Sequence, residues 1–121
     1  MATKKVEMNG KVVAVVCNLE KKIGSASEAM DVALSARYDC DTNCVAFSKD
    51  CFDDAFFVLS SGLAGEVLQK FTNYGIRCAI FGDYSRYTSK PLRDFIYESN
   101  KGHAVGFLSN EEEAVTWLME K

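Results

Sequence analysis

The sequence predicts an α/β fold: a single mostly parallel β-sheet with an N-terminal antiparallel hairpin and about four packed helices. The first observation is that short apolar runs alternate along the chain with segments whose apolar residues have the spacing of an amphipathic helix. The second is the dipeptide Asn9-Gly10, which separates two strand-like runs and is the preferred pair for a tight hairpin turn. Because the 121 residues contain neither a repeat nor a linker, residues 1–121 are expected to form a single α/β domain.

The strands are predicted from runs rich in Val, Ile, Phe and Cys. The first run alternates polar and apolar residues like an edge strand, and the second is apolar on both faces like a central strand. Because helices separate the later strands, these strands are expected to be parallel. The apolar stretch 52–60 has no clear period and is expected to form a helical turn or a loop folded over the core. The predicted strands are residues 5–8, 11–17, 43–47, 76–81 and 104–108.

The first helix is predicted from a capping box. The Ser25 hydroxyl can accept a hydrogen bond from the backbone N–H of residue 28, and the Glu28 side chain can reach back. The helix is expected to run to about residue 37. Its predicted inner face is formed by Ala29, Met30, Ala33 and Leu34.

The other three helices are predicted from the signals at their ends. Gly62 and Gly75 bracket the second helix, and Gly75 is expected to supply its left-handed cap. Ser89 is expected to cap the third helix and Ser109 the fourth. Trp117 lies off the apolar stripe of the fourth helix, so it is expected to shield a sheet edge or to contact a partner.

Charge and hydropathy exclude two classes of partner. The formal net charge is −3, so the field of the whole molecule repels phosphate and no nucleic-acid partner is expected. The longest apolar run, residues 12–17, is far shorter than the roughly 20 residues of a membrane-spanning helix. Because no secretory signal stretch lies near the start either, a cytoplasmic location without membrane attachment is expected.

The five cysteines are expected to be reduced thiols, because their number is odd and no secretion signal accompanies them. Cys40, Cys44 and Cys51 lie close together in the chain. Their spacing does not match the paired ligands of a zinc site, and the one histidine, His103, is far from them in sequence. They are expected to pack as small apolar residues, with a structural metal or a redox-active thiol as alternatives. No cofactor motif is present, so no cofactor is expected.

A binding site is predicted at the carboxyl ends of the parallel strands, where ligands of open α/β sheets collect. Among the loops expected there, residues 83–90 carry the densest set of polar and charged side chains. The beginnings of two nearby helices would add free N–H groups, which suit an anion. The alternative is a solvated loop whose Ser and Asp side chains only cap turns. The candidate binding residues are Gly62, Asp83, Tyr84, Ser85, Ser89, Lys90 and Arg93.

The sequence contains no obvious set of catalytic residues. A serine or cysteine nucleophile needs a base within hydrogen-bond reach, most often a histidine. His103 is expected at the amino end of the sheet, opposite the candidate loops. The pair Gly62 and Gly65 lacks the ending of a phosphate-binding loop and is expected to let a helix approach a strand closely. Whether the chain is an enzyme stays open, with a non-enzymatic role favoured.

Three segments of the chain resemble a bacterial family of unknown function, DUF4180. They are residues 62–71, 82–85 and 92–100, with the sequences GLAGEVLQKF, GDYS and LRDFIYESN. The resemblance extends over nearly the whole chain, residues 5–118. It implies no particular activity.

The second half of the chain also resembles the STAS domain of sulphate transporters and anti-sigma-factor antagonists. The resemblance rests on residues 60–63, SSGL, and residues 112–114, EEA. In such antagonists a partner kinase phosphorylates the second serine, and the added charge breaks a protein interface. The resemblance therefore implies that Ser61 is a phosphorylation site and a binding residue. The chain departs from the pattern at Leu59, where the family has an aspartate.

These observations predict a non-enzymatic protein-interaction or regulatory module that binds a protein partner or a small polar ligand. The alternative is a small-ligand or nucleotide-binding protein, or a small enzyme, that uses residues 83–90. Homodimerisation through the edge hairpin or Trp117 also stays open, although charged residues such as Lys5 and Glu7 partly guard the edge strand against pairing.

Overall fold

The structure, a computed structural model, describes residues 2–120. Its strands are β1 (Ala2–Met8), β2 (Lys11–Cys17), β3 (Cys44–Ser48), β4 (Arg77–Phe81) and β5 (Val105–Leu108). Its α-helices are α1 (Ala26–Cys40), α2 (Leu63–Asn73), α3 (Lys90–Lys101) and α4 (Glu111–Glu120). Three short 3-10 helices connect β3 to α2: Lys49–Cys51, Asp54–Phe57 and Leu59–Ser61.

The strands form one sheet in the order of the chain, β1-β2-β3-β4-β5. β1 is antiparallel to β2, with Met8 opposite Lys11, and β2 to β5 are parallel. The hairpin turn has φ values of 53° at Asn9 and 79° at Gly10, the left-handed conformations that a type I′ turn requires. The predicted fold class is therefore confirmed.

The sequential strand order determines how the helices cover the sheet. Crossovers between parallel strands are almost always right-handed, so crossovers that all advance in one direction place their helices on one face. α1, α2 and α3 pack on that face, and α4 packs on the other. Neighbouring residues of β2 alternate between the two cores: Val16 belongs to the three-helix face, whereas Val13 and Val15 lie under α4.

Helix α1 begins as predicted and ends three residues later than predicted. The Ser25 hydroxyl accepts a hydrogen bond from the Glu28 N–H at 3.1 Å, and Glu28 reaches back to the Gly24 N–H at 3.2 Å. The helix continues to Cys40, where Asp41 adopts a left-handed conformation with φ 53°. The prediction that Leu34 faces the core is wrong, since it is 38 % exposed. A stripe of residues spaced four, three and four apart points inward instead: Ala29, Ala33, Ala36 and Cys40.

The glycines at the start of α2 do not serve a close helix–strand approach, so that prediction is wrong. A Cβ added at Gly62 or Gly65 would meet no atom within 4 Å. Gly62 precedes the helix with φ 80°, a conformation that favours glycine, and Gly65 lies on the exposed side of α2. Gly75 follows the helix with φ 71°, as predicted.

The last two helices differ in how well their caps were predicted. The Ser89 hydroxyl accepts a hydrogen bond from the Leu92 N–H, and this confirms the predicted cap of α3. In α4 the cap is Asn110 instead of Ser109, because the Asn110 side chain accepts from the Glu113 N–H at 2.9 Å. Trp117 of α4 covers Gly106 in the edge strand β5, where an added Cβ would lie 2.9 Å from its ring. Of the two roles predicted for Trp117, the structure places it at the sheet edge.

The described helices are too short or too polar to cross a lipid bilayer. All five thiols are free, and residues 2–120 contain no group of three or more side chains arranged to hold a metal ion. Cys40, Cys51 and Cys78 are buried, whereas Cys17 and Cys44 are half-buried at strand ends.

The packing of Gly106 yields a first prediction. Gly106→Ala should lower the free energy of unfolding by about 1–3 kcal/mol, because the new methyl group would overlap the Trp117 ring. Gly65→Ala is the matched control and should raise it by about 0.5–1 kcal/mol, since the site is an exposed helical glycine with open space around it. Urea titration measures the free energy of unfolding of both variants and of the wild type. An equal change of the same sign in the two variants would contradict the packing of Trp117 on Gly106.

Burial of two thiols yields a second prediction. Desolvation raises the pKa of Cys51 to about 11 and the pKa of Cys78 to about 12. At pH 8 both should therefore resist a disulfide reagent such as DTNB in the folded protein and react once guanidinium unfolds it, because the thiolate is the reactive form. Mass-spectrometric mapping of the labelled peptides, with half-buried Cys17 as the reference, identifies the thiols. Labelling of Cys78 as fast as Cys17 would be the contrary result.

Candidate functional site

The candidate site lies beyond the carboxyl ends of β3 and β4. These strands are adjacent and parallel, with Ser48 opposite Phe81 at their last pair. The chain leaves β3 through the three 3-10 helices and leaves β4 through residues 82–89, so both connections lie at the same end of the sheet. Between them is a cleft of about 730 Å³, lined by Asp54, Phe57, Val58, Leu59, Ser60, Arg86, Tyr87, Thr88, Ser89, Pro91 and Leu92.

Aromatic packing holds one wall of this cleft. The rings of Phe52 and Phe56 are 4.4 Å apart, and those of Phe56 and Phe57 are 5.0 Å apart. The Phe57 ring then stacks on Tyr87 at 5.5 Å, so the wall formed by the 3-10 helices meets the wall formed by the loop after β4. Phe52 and Phe56 are both 1 % exposed, and this confirms that the stretch 52–60 folds over the core.

Hydrogen bonds made by the side chains of Asp53 and Ser61 fix the turns of the 3-10 helices that form this wall. The Asp53 carboxylate accepts from the Ala55 N–H at 3.0 Å. The Ser61 hydroxyl donates to the Ala55 carbonyl at 2.6 Å and accepts from the Leu63 N–H at 3.3 Å. Ser61 therefore links the third 3-10 helix to the second one and to the start of α2.

The loop after β4 is organised by Asp83 and Tyr84. The Asp83 carboxylate accepts from the Ser85 N–H at 2.9 Å. Hydrogen bonds from Ser85, with smaller contributions from the positive charges of Lys49 and Arg86, lower the pKa of Asp83. The Tyr84 hydroxyl donates to the Ile80 carbonyl at 3.0 Å, and burial raises the pKa of this phenol.

A smaller cavity of about 240 Å³ lies where β3 and β4 end. Lys49 forms part of it and is only 9 % exposed. Its ammonium nitrogen lies 4.8 Å from the centre of the Tyr87 ring and 5.3 Å from that of Phe57. Its alkyl chain runs along Gly82, where an added Cβ would lie 2.7 Å from the Lys49 Cβ. The cavity is lined by Ser48, Lys49, Asp50, Phe81, Gly82, Asp83 and Arg86, so Arg86 borders both cavities.

The structure brings some of the predicted residues together and separates others. Ser89 lines the cleft, and Asp83 lines the smaller cavity. Tyr84 packs against Phe57 and Phe107 and supports the loop from beneath. Ser85 is exposed in the turn that follows Asp83.

Four other candidates lie outside the cleft. Lys90 and Arg93 border a separate depression on the exposed side of α3, where Lys90 pairs with Asp94 at 2.7 Å. Ser61 and Gly62 are exposed at the start of α2, one and two residues beyond Ser60, which does line the cleft.

Five residues at the two cavities are absent from the candidates predicted from the sequence: Lys49, Phe57, Val58, Arg86 and Tyr87. Arg86 and Tyr87 fall within the predicted segment 83–90 but are not among its candidate binding residues. Lys49 has a sequence signal in hindsight, because it directly follows a buried strand at the end of the sheet where ligands collect. Phe57 and Val58 carry no such signal, since their position depends on how the 3-10 helices fold back.

Comparison with known proteins decides the family. The family model described as a domain of unknown function, DUF4180, matches residues 8–118. The chain belongs to the DUF4180 family. This confirms the resemblance derived from the sequence motifs, and every residue lining the two cavities lies within the matched region of the DUF4180 domain. Searches of curated proteins and of solved structures found no match. The resemblance to STAS domains stays a prediction.

Proposed function

We propose that this DUF4180 domain is a non-enzymatic binding module that holds a small organic ligand in the cleft between the 3-10 helices and the start of α3. The observation that carries the proposal is the cleft itself. Its volume of about 730 Å³ falls within the range of small-molecule sites, roughly 300–1,000 Å³. Apolar side chains such as Phe57, Leu59 and Leu92 line it, and a few polar groups lie beside them, which is the composition such sites have.

The arrangement of polar groups supports recognition in preference to catalysis. Thr88 and Ser89 offer hydroxyls and Arg86 offers a fixed positive charge, and groups of this kind orient a ligand. His103, the one histidine of the chain, lies before β5 at the amino end of the sheet. There its carbonyl accepts a hydrogen bond from Arg77 at 2.8 Å, far from the serines of the cleft.

Blocking the cleft tests the proposal. A thermal-shift screen with nucleotides, sugar phosphates, acyl compounds and neutral aromatics should contain compounds that raise Tm, since a ligand at 100 times its Kd adds about 2.7 kcal/mol of stability. Val58→Arg should abolish these shifts, because Val58 lines the cleft and is 53 % exposed, so a long charged side chain there obstructs the ligand without disturbing the core.

Met8→Arg is the matched control, since Met8 is 51 % exposed on the hairpin, away from the cleft. It should respond to every compound as the wild type does. Compounds that stabilise the wild type and Val58→Arg equally would show that they bind elsewhere, and a screen without any response would also defeat the proposal.

A protein partner is the second candidate occupant of this surface. It is favoured by the exposed apolar side chain of Val58 at the cleft and by the resemblance of the segment around Ser61 to a STAS phosphorylation site. A phosphate on Ser61 would remove the proton that its hydroxyl donates to Ala55 and would place negative charge beside the cleft wall.

The substitution Ser61→Asp tests this second candidate. Any protein that binds the domain should bind Ser61→Asp at least tenfold more weakly, because the new charge disturbs the turn that ends at Ser61. Ser35→Asp places the same charge on the exposed side of α1, outside the cleft, and serves as the control in a titration by surface plasmon resonance. Equal affinity of the partner for wild type and Ser61→Asp would remove the regulatory role.

A further inference from the structure

Lys49 is the one charged residue that is buried among residues 3–120, the residues whose burial the structure describes. Lysine is rarely buried unless its ammonium group is paired with a carboxylate or bonded to acceptors. Yet within the described chain no carboxylate lies within 4.0 Å of the Lys49 nitrogen, and no acceptor lies within hydrogen-bond distance of it. The contacts of the ammonium group are instead the aromatic rings of Tyr87 and Phe57, at 4.8 and 5.3 Å from their centres.

The rings stabilise the positive charge but do not satisfy the hydrogen bonds. The negative face of an aromatic ring attracts a cation. The ammonium group has three N–H donors, however, and its nitrogen is not among the unpartnered side-chain atoms that are closed off from solvent, so it is open to the smaller cavity. The rings therefore hold the ammonium group at the wall of this cavity, where its N–H donors can bond an acceptor that enters.

The position of Lys49 is determined by the fold. It follows the last residue of β3, and its alkyl chain packs on Gly82 at the end of β4, where any larger residue would collide with it. The neighbouring Ser48 hydroxyl accepts from the Asp50 N–H at 3.4 Å and caps the turn that carries Lys49. The side chain cannot swing out without losing this packing.

The surrounding charges limit what the ammonium group can bind. Arg86 borders the same cavity as Lys49, and its guanidinium lies 5.4 Å from the centre of the Tyr87 ring. Two carboxylates, Asp50 and Asp83, also border this cavity, and Asp54 borders the cleft. In the smaller cavity the charges of Lys49 and Arg86 are balanced by those of Asp50 and Asp83, and Asp54 adds a further negative charge at the cleft. A polyphosphate carries several negative charges that these carboxylates would repel, whereas a single acid group can bond Lys49 with less repulsion.

From this we infer that the ligand of the cleft is a small organic acid with one carboxylate and an apolar body, and that Lys49 is the residue that binds its carboxylate. The inference rests on the proposed function and names its ligand class. In this arrangement the carboxylate lies in the smaller cavity that Lys49 lines, and the apolar body lies in the neighbouring cleft. Arg86 borders both cavities, and the Phe57 and Tyr87 rings of the cleft wall also lie beside the ammonium group. The carboxylate supplies the acceptors that the described chain does not give Lys49.

Calorimetric titration with a matched acid and amide tests this inference. The wild type should bind 4-phenylbutyrate at least tenfold more tightly than 4-phenylbutyramide, which has the same apolar body without the charge, and more tightly than ATP. Lys49→Met keeps the unbranched side chain and removes the ammonium group, so it should bind the acid and the amide equally. Lys70→Met is the control, because Lys70 is exposed on α2 outside both cavities, and it should keep the wild-type preference.

A second measurement needs no substitution. In NMR spectra of the wild type, the ε-methylene signals of Lys49 should move when 4-phenylbutyrate is added and stay in place with the amide. Absence of that movement, or an unchanged preference for the acid in folded Lys49→Met, overturns the assignment of Lys49.

The failure of this inference can be told apart from failure of the proposed function. If acid and amide bind the wild type equally and Val58→Arg abolishes both, the cleft is a binding site and the inference about Lys49 is wrong. A second acid, octanoate, is titrated in the same way. If neither 4-phenylbutyrate nor octanoate binds, or if ATP binds more tightly than both, the acid class is wrong. The broader thermal-shift screen still decides whether the cleft binds any small ligand.

Discussion

The stacking of aromatic rings from the core to the surface is the interaction on which the candidate site depends. The series begins at the buried Phe47 near the carboxyl end of β3, passes to Phe52 at 5.3 Å and continues through Phe56 and Phe57 to Tyr87. Short 3-10 helices have poor hydrogen-bond geometry and little stability of their own. Burial of these rings supplies the free energy that holds three such helices at the end of the sheet, and so creates a cleft wall from irregular backbone.

The architecture could be predicted from the sequence because its determinants are local. Asn9-Gly10 specifies the hairpin, Ser25 with Glu28 starts α1, and Ser89 starts α3, each through contacts within four residues. The predictions for single residues were wrong where a local sequence pattern was compatible with two structural roles. Leu34 is apolar and was expected to face the core. Helix α1 instead packs on the sheet through Ala29, Ala33 and Ala36, and this orientation leaves Leu34 exposed. Gly62 was assigned to close packing, although its conformation alone explains a glycine there.

The sequence could predict the end of the sheet at which the candidate cleft lies, but not most of the residues that line it. The carboxyl ends of the parallel strands were expected to carry it, yet the sequential strand order provides no reversal point, the feature that opens a crevice in doubly wound sheets. The cleft arises instead from the meeting of Phe57 with Tyr87, two residues thirty positions apart in the chain. Lys49 illustrates the same limit, since a lysine after a strand is usually solvated. This one is buried because Gly82 and the rings of Phe57 and Tyr87 approach it from elsewhere in the chain.

The unequal covering of the two sheet faces affects how the chain behaves while it is being synthesised. As the nascent polypeptide leaves the ribosome, each strand from β2 onward can add beside its predecessor, and the intervening helix covers the first face at once. The second face, with Val13, Val15 and Ala79, stays uncovered until α4 has emerged. A chain that folds in the order of its synthesis therefore has a stage in which a nearly finished sheet exposes one apolar side, and at this stage a chaperone would protect it from aggregation.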